Sequence, residues 1–222
     1  RHDNVVHEDP YLSRVSTKVQ NGTVIVGSDG HYWPGRASTA HRAMVAFIKE
    51  LRPHAVIFNG DSFDGAKVSR HPDIGWEKKP TVIEEIEACR ERLSEFEEAA
   101  KGAELIHTLG NHDMRFETRL AQVAPEFAKI NGFHLKDHFP AWEPCWDVRI
   151  NGQAVVKHRW KGGKHAPYNN AKESGLTVVT GHLHAAKVQP VTDMNGTRWG
   201  VDTGCIADPD GPQFTDYTEN GC

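Results

Sequence analysis

The feature that most restricts what this chain can fold into is a repeated pairing of a short apolar run with a cluster of Gly, Asp, Asn or His. It occurs at TVIV before Gly27-Ser28-Asp29-Gly30-His31, at AVIFN before Gly60-Asp61-Ser62-Phe63-Asp64, and at ELIHTL before Gly110-Asn111-His112-Asp113. It recurs at AVVK before His158 and at LTVVT before Gly181-His182-Leu183-His184. The β-branched apolar runs read as buried strands. One polar cluster alone would be an ordinary turn, since Asp, Asn and Gly favour turns for local hydrogen-bonding reasons. Five of them, each behind a strand, are a different matter. Ligands of open α/β sheets lie beyond the carboxyl ends of the strands, so these side chains can meet at one edge although they span most of the sequence.

Between the strands the period changes to that of helices. Ser38 to Leu51 carries Ala40, Met44, Phe47, Ile48 and Leu51 at helical spacing, with Ser38 and Thr39 as caps. Thr81 to Lys101 has an apolar stripe of Val82, Ile86, Cys89, Leu93 and Phe96 opposite a glutamate-rich face. A third helix is expected around Met114 to Ile130. Further on, Asn151-Gly152 joins Trp146–Ile150 to Ala154–His158 as a two-residue hairpin signal, and strands follow at Leu176–Thr180, Val188–Thr192 and Thr197–Asp202. The pattern predicts an α/β fold, a four-layer α/β/β/α sandwich of two mixed sheets flanked by helices. Residues 1–22 read as an N-terminal extension and 23–222 as one domain. Beginning at Arg1, the chain reads as a processed product or a piece of something longer. The tail after Asp202 offers no convincing final strand, so it is irregular or the natural protein continues beyond Cys222.

Composition narrows the function classes. A net charge of −4 and a pI near 6.4 give no overall attraction to nucleic acid or anionic membrane. Cys89, Cys145, Cys205 and Cys222 form no CxxC pair, which speaks against a zinc knuckle or a disulfide framework and for a reduced chain. No apolar run approaches the roughly 18 residues of a membrane span, and no signal-peptide core is seen. The expectation is a cytoplasmic protein with no membrane partner.

Asp29 and His31 stand one residue apart, and Gly30 between them is expected to supply a sharp turn that points both side chains the same way. His182-x-His184 repeats the spacing on another strand end. The series D-x-H, G-D-x-x-D, G-N-H-D, lone His and G-H-x-H resembles the calcineurin-like metallophosphoesterase family, over Val24 to about Asp202. The resemblance implies one metal held by Asp29, His31, Asp61 and His184, and a second by Asp61, Asn111, His158 and His182, with Asp61 bridging. Two divalent ions about 3.5–4 Å apart can polarise a bridging water to hydroxide and clamp a phosphoryl group. Carboxylate, imidazole and amide donors suit Mn²⁺ first, with Fe, Co²⁺, Ni²⁺ and Zn²⁺ as neighbours, better than Ca²⁺. His112, beside Asn111, is placed as general acid, and the family pattern makes Asp64 its orienting partner.

Substrate contacts are read from position. Arg115 and Arg119 are one turn apart after G-N-H-D. Lys161, Lys164 and His165 follow His158 in a Gly-rich basic segment that fits phosphate binding or a plain surface loop. The long loop between Gly65 and Pro80 is where specificity is expected. Tyr32 and Trp33 are available as a stacking surface for a nucleobase. The remaining histidines, His41, His54, His71, His107, His134 and His138, read as ordinary. The sequence therefore predicts a phosphoesterase acting on phosphate esters, more as a diesterase of nucleotide or single-stranded nucleic-acid type than as a phosphomonoesterase. A non-catalytic scaffold is a third alternative.

Overall fold

A computed structural model describes residues 10–72, 75–76 and 78–212. Its strands in chain order are β1 (Val15–Thr17), β2 (Val24–Gly27), β3 (Ala55–Asn59), β4 (Glu104–Thr108), β5 (Glu143–Cys145), β6 (Val148–Ile150), β7 (Ala154–Val156), β8 (Thr177–Thr180), β9 (Lys187–Asp193) and β10 (Gly196–Asp202). The helices are α1 (Thr39–Leu51), α2 (Val82–Ala99), α3 (Asp113–Val123) and α4 (Ala166–Ser174). The strands make two sheets, ordered β2-β3-β4-β5 and β1-β6-β7-β8-β10-β9.

Alternation along the strands builds the layers. Val56 and Phe58 of β3 join Met44, Ile48, Ile86, Leu93 and Phe96 of α1 and α2 in one core, while Ile57 and Ile106 join Cys145, Val148 and Val156 in the core between the sheets. β3 is buried throughout, as a strand covered on both faces should be. α4 covers the far side against β8, β9 and β10. The architecture is the expected one of two sheets flanked by helices. The difference is that only the six-stranded sheet is mixed; the other is parallel throughout.

Several local expectations change. α1 is capped by Ser38, which accepts the His41 N–H, and α2 by a reciprocal Thr81–Glu84 box. α3 stops at Val123 rather than near Ile130, because Pro125 has no N–H to continue it and keeps Ala124 out of helical backbone, at φ −149° and ψ 50°. The Asn151-Gly152 turn exists, with both residues at positive φ, but the paired strands begin only at Ile150 and Ala154, leaving a three-residue loop. Val15–Thr17, assigned by sequence to the extension, pairs parallel with β6 as an edge strand. β5 was not anticipated; its proline and short length hide the strand pattern. No strand follows Asp202 as far as Pro212, and the remaining tail lies outside the described residues, as do residues 1–9. Cys205 is disulfide-bonded, so the expectation of a reduced chain fails there, whereas Cys89 and Cys145 are buried thiols. No helix among the described residues is long and apolar enough to cross a membrane.

Candidate metal centre

The loops that leave β2, β3, β4, β7 and β8 meet at one edge of the sandwich. Asp29 N–H donates to the Gly60 carbonyl, His31 N–H to that of Asp61 and Tyr32 N–H to that of Ser62, each at 2.9 Å, so the β2–β3 pairing continues past the strands. Gly181 N–H donates to the His158 carbonyl at 3.0 Å. Backbone strain collects here: Asp29, His31, Asp61, His182 and His184 all have φ between 39° and 73°. Left-handed backbone costs a non-glycine residue of order 1 kcal/mol or more, and such residues concentrate at functional sites. The sharp turn is therefore not supplied by Gly30, as the sequence suggested, but by its two neighbours. Gly30 is required for space, since a Cβ there would stand 2.6 Å from Tyr32 Cζ. At Gly110 a Cβ would stand 2.0 Å from Asp61 Oδ1, so only glycine lets these two loops touch.

Two groups of potential ligands result, Asp29 with His31 and His184, and Asp61 with His158 and His182, each with donor atoms within 4.8 Å of one another. His184 Nε2 is 3.2 Å and His31 Nε2 3.9 Å from Asp29 Oδ1. Asp61 Oδ2 stands 3.1 Å from His158 Nε2 and 3.9 Å from His31 Nε2, so one oxygen faces both groups. The other oxygen of Asp61 accepts the His112 N–H at 2.7 Å, and Asp29 accepts the His182 N–H and the Ser28 hydroxyl. These contacts fix each carboxylate before any cation arrives.

The donor chemistry fits metal ions. His158 Nδ1–H donates to the Asn59 carbonyl at 2.7 Å, so in the neutral ring Nε2 carries the lone pair. That buried Nε2 has no hydrogen-bond partner, and it looks at a carboxylate oxygen. Two acceptors so placed need a proton or a cation between them. Without metal the protons answer. Burial alone would lower His158, but Asp61 outweighs it and raises its pKa to about 9. Burial likewise opposes charge on His31, yet Asp29 and Asp64 raise it to about 10. His182 goes the other way, to about 4, through burial and the neighbouring charge of His158. Burial would raise Asp29 and Asp61, but the surrounding imidazoles hold both below the usual carboxylate range.

His31, Asp64 and His112 are close enough to form a third such group, but there Asp64 is taken up by the two rings. Its Oδ1 takes His112 Nδ1 at 2.8 Å and His31 Nδ1 at 3.2 Å, so one carboxylate orients both rings through their Nδ1–H. The sequence assigned it only to His112. Arg115 donates to the Asp64 carbonyl at 2.8 Å and to His112 Nε2 at 3.1 Å.

Asn111 is exposed and lines a cleft of about 500 Å³ together with Arg115. Lys161 pairs with Glu173 of α4, and His165 is exposed at the N-terminal end of that helix. Tyr32 is buried with its hydroxyl on His41 Nδ1 at 2.9 Å, so it offers no stacking face; Trp33 is half-buried with its N–H toward Asp64.

The sequence missed Asp113. Its fully buried carboxylate accepts the backbone N–H groups of Asp61, Ser62, Phe63 and Gly110 at 2.7 to 3.0 Å. Glu85, also missed, accepts from Gly65 and Ala66 and anchors the start of the long loop; burial, with Asp64 nearby, raises its pKa to about 8. An acid on the apolar side of a helix, as Glu85 is on α2, was the available signal.

No family model matches the chain, and no curated protein matches it. Among solved structures it is similar to a protein serine/threonine phosphatase from Saccharomyces cerevisiae with similarity to human phosphatase PP5, at 14% identity and a TM-score of 0.33. The match covers 93% of this chain, which spans 60% of the length of that one. The likeness is loose, and the chemistry has to come from the cluster itself.

Proposed function

We propose that this protein is a metal-dependent phosphoesterase of the calcineurin-like type. The observation that carries it is the position of Asp61 Oδ2, 3.1 Å from His158 Nε2 and 3.9 Å from His31 Nε2, between two ligand groups. Asp29, His31, Asp61 and His184 would hold one ion and Asp61, Asn111, His158 and His182 the other, a set of oxygen and nitrogen donors suited to Mn²⁺ or a neighbouring transition ion. When bound, such a pair supplies Lewis acidity to a phosphoryl group and lowers the pKa of water.

The chain's own residues do the rest. Asp64 holds the Nδ1–H of His112, so that in the protonated ring the Nε2–H faces outward and can pass its proton to the departing oxygen, leaving the neutral ring with its proton on Nδ1. Arg115 occupies that Nε2 at 3.1 Å, so its guanidinium has to turn, and a non-bridging phosphate oxygen of the substrate is the natural acceptor for it. Arg115 and Asn111 open into the adjoining cleft, which gives room for a second substituent on phosphorus and favours diesters over monoesters. The test is hydrolysis of bis-p-nitrophenyl phosphate and p-nitrophenyl phosphate by chelated protein with each metal restored in turn. Metal-restored turnover with the diester preferred is expected. Failure of every metal to give turnover would refute the reading.

A further inference from the structure

We propose that the cleft between Ala66–Val68 and α3 is a second phosphate-binding subsite, so that the substrate carries at least one phosphate besides the one cleaved. The inference rests on the phosphoesterase reading above and extends it to substrate class. Lys67, Arg70, Arg115, Arg119 and Arg159 all line this one concavity of about 500 Å³, and no acidic side chain lines it among the described residues. In a chain of net charge −4 that is a local reversal of sign.

Elsewhere on the surface several arginines find acids, Arg14 with Asp147, Arg36 with Asp208, and Arg198 with Asp193, and Arg42 and Arg90 find backbone carbonyls. In the cleft the side chains of Lys67, Arg70, Arg119 and Arg159 make no hydrogen bond or ion pair among the described residues. Like charges gathered without counter-charges repel, and an anion spanning them relieves the repulsion. Guanidinium groups suit phosphate in particular, because two N–H groups of one fork meet two oxygens.

The cleft also joins the candidate metal centre. Arg115 lines it and donates to His112 Nε2, Asn111 lies on its wall one residue from His112, and Arg159 follows His158 directly. A substrate with its scissile phosphorus at the centre would therefore lead its next phosphate into the cleft. Two sources share this chemistry, a nucleoside oligophosphate and the backbone of a single-stranded oligonucleotide.

The experiment combines binding with turnover on metal-loaded protein. Binding is read as inhibition of bis-p-nitrophenyl phosphate hydrolysis and, independently of activity, as anisotropy of a labelled dodecathymidylate displaced by inorganic tripolyphosphate. Arg70→Gln and Arg119→Gln should each weaken binding about threefold to tenfold, and for the oligonucleotide lower the salt slope by about 0.7 for each phosphate no longer neutralised. Tight binding of tripolyphosphate alone would identify the small-molecule source, and tighter binding of the oligonucleotide the single-stranded one. Melting temperatures of the variants check that they fold. Absence of binding by both probes, or binding indifferent to both substitutions, overturns the subsite even if the simple diester is hydrolysed. Variant-sensitive binding by a protein that hydrolyses no ester supports the subsite while refuting the catalytic reading.

Discussion

The Asp113 carboxylate receives the backbone N–H of Asp61 at 2.7 Å, and through the same two oxygens those of Ser62, Phe63 and Gly110. One buried acid at the start of α3 thus shapes the loop that carries the bridging candidate. Replacing it by alanine leaves several buried donors without an acceptor, each costing about 1–3 kcal/mol when unsatisfied. Asp113→Ala should lose about 3 kcal/mol or more of stability in urea titration and bind less metal at both groups. An Asp113→Asn variant, which keeps one acceptor oxygen, should lie between it and the parent. Unchanged stability in both would remove Asp113 from this role.

Asp61 should be the ligand whose loss matters most. Asp61→Asn removes the negative charge facing both ligand groups, so metal content by elemental analysis should fall from about two ions per chain to fewer than one. Asp29→Asn should spare the His158 group. Retention of two ions by Asp61→Asn would contradict the bridging assignment.

The imidazoles make metal-free stability depend on pH. His31 and His158 are raised to about 10 and about 9, against about 6.5 in an unfolded chain. Raised folded values mean that this stabilisation is complete below about 6.5 and is lost as pH climbs through 9 and 10. Asp29, Asp61 and Asp64, lowered when folded, add stability that is present above about 3.9 and lost as pH falls below it. Chelated protein should therefore melt highest in between and weaken toward alkaline pH. Added Mn²⁺ should reverse the alkaline loss, because a cation displaces fewer protons as pH rises. Parallel melts with chelator and with Mn²⁺ check this.

His112→Asn should lower kcat by roughly 10²–10⁴, the usual worth of a positioned general acid. The loss should be smaller for p-nitrophenolate, which departs without a proton, than for an alkyl or nucleoside ester. Asp64→Asn should show a weaker form of the same trend with some loss of metal, since Asp64 also orients His31. Equal losses across leaving groups of graded pKa would point to phosphate binding instead.

The positions of most strands and the identity of the clustered side chains were legible in the sequence, because each rests on a local pattern, whereas the pairing directions of the second sheet, parallel for β1–β6, β7–β8 and β8–β10, were not. An apolar run of AVIFN has to be buried, and Gly-Asp or Gly-His after it has to turn. Boundaries that depend on neighbours were not: α3 ends early at Pro125, β5 shows only when paired with β4, and β1 only when laid on β6. The site divides in the same way. Asp29, His31, Asp61, His158, His182 and His184 were readable as residues, but their mutual geometry was decided by the packing of two sheets. Only that packing sets Asp61 Oδ2 between two imidazoles, makes Asp64 serve His31 as well as His112, and turns Lys161 to Glu173. The physical reason is range. Periodicity and turn preference act over a few residues, whereas hydrogen bonds and charge pairs join groups far apart in the chain, such as Asp113 with Ser62, 51 positions away, and Asp29 with His184, 155 positions away. Those partners become neighbours only once the core between and around the sheets has closed.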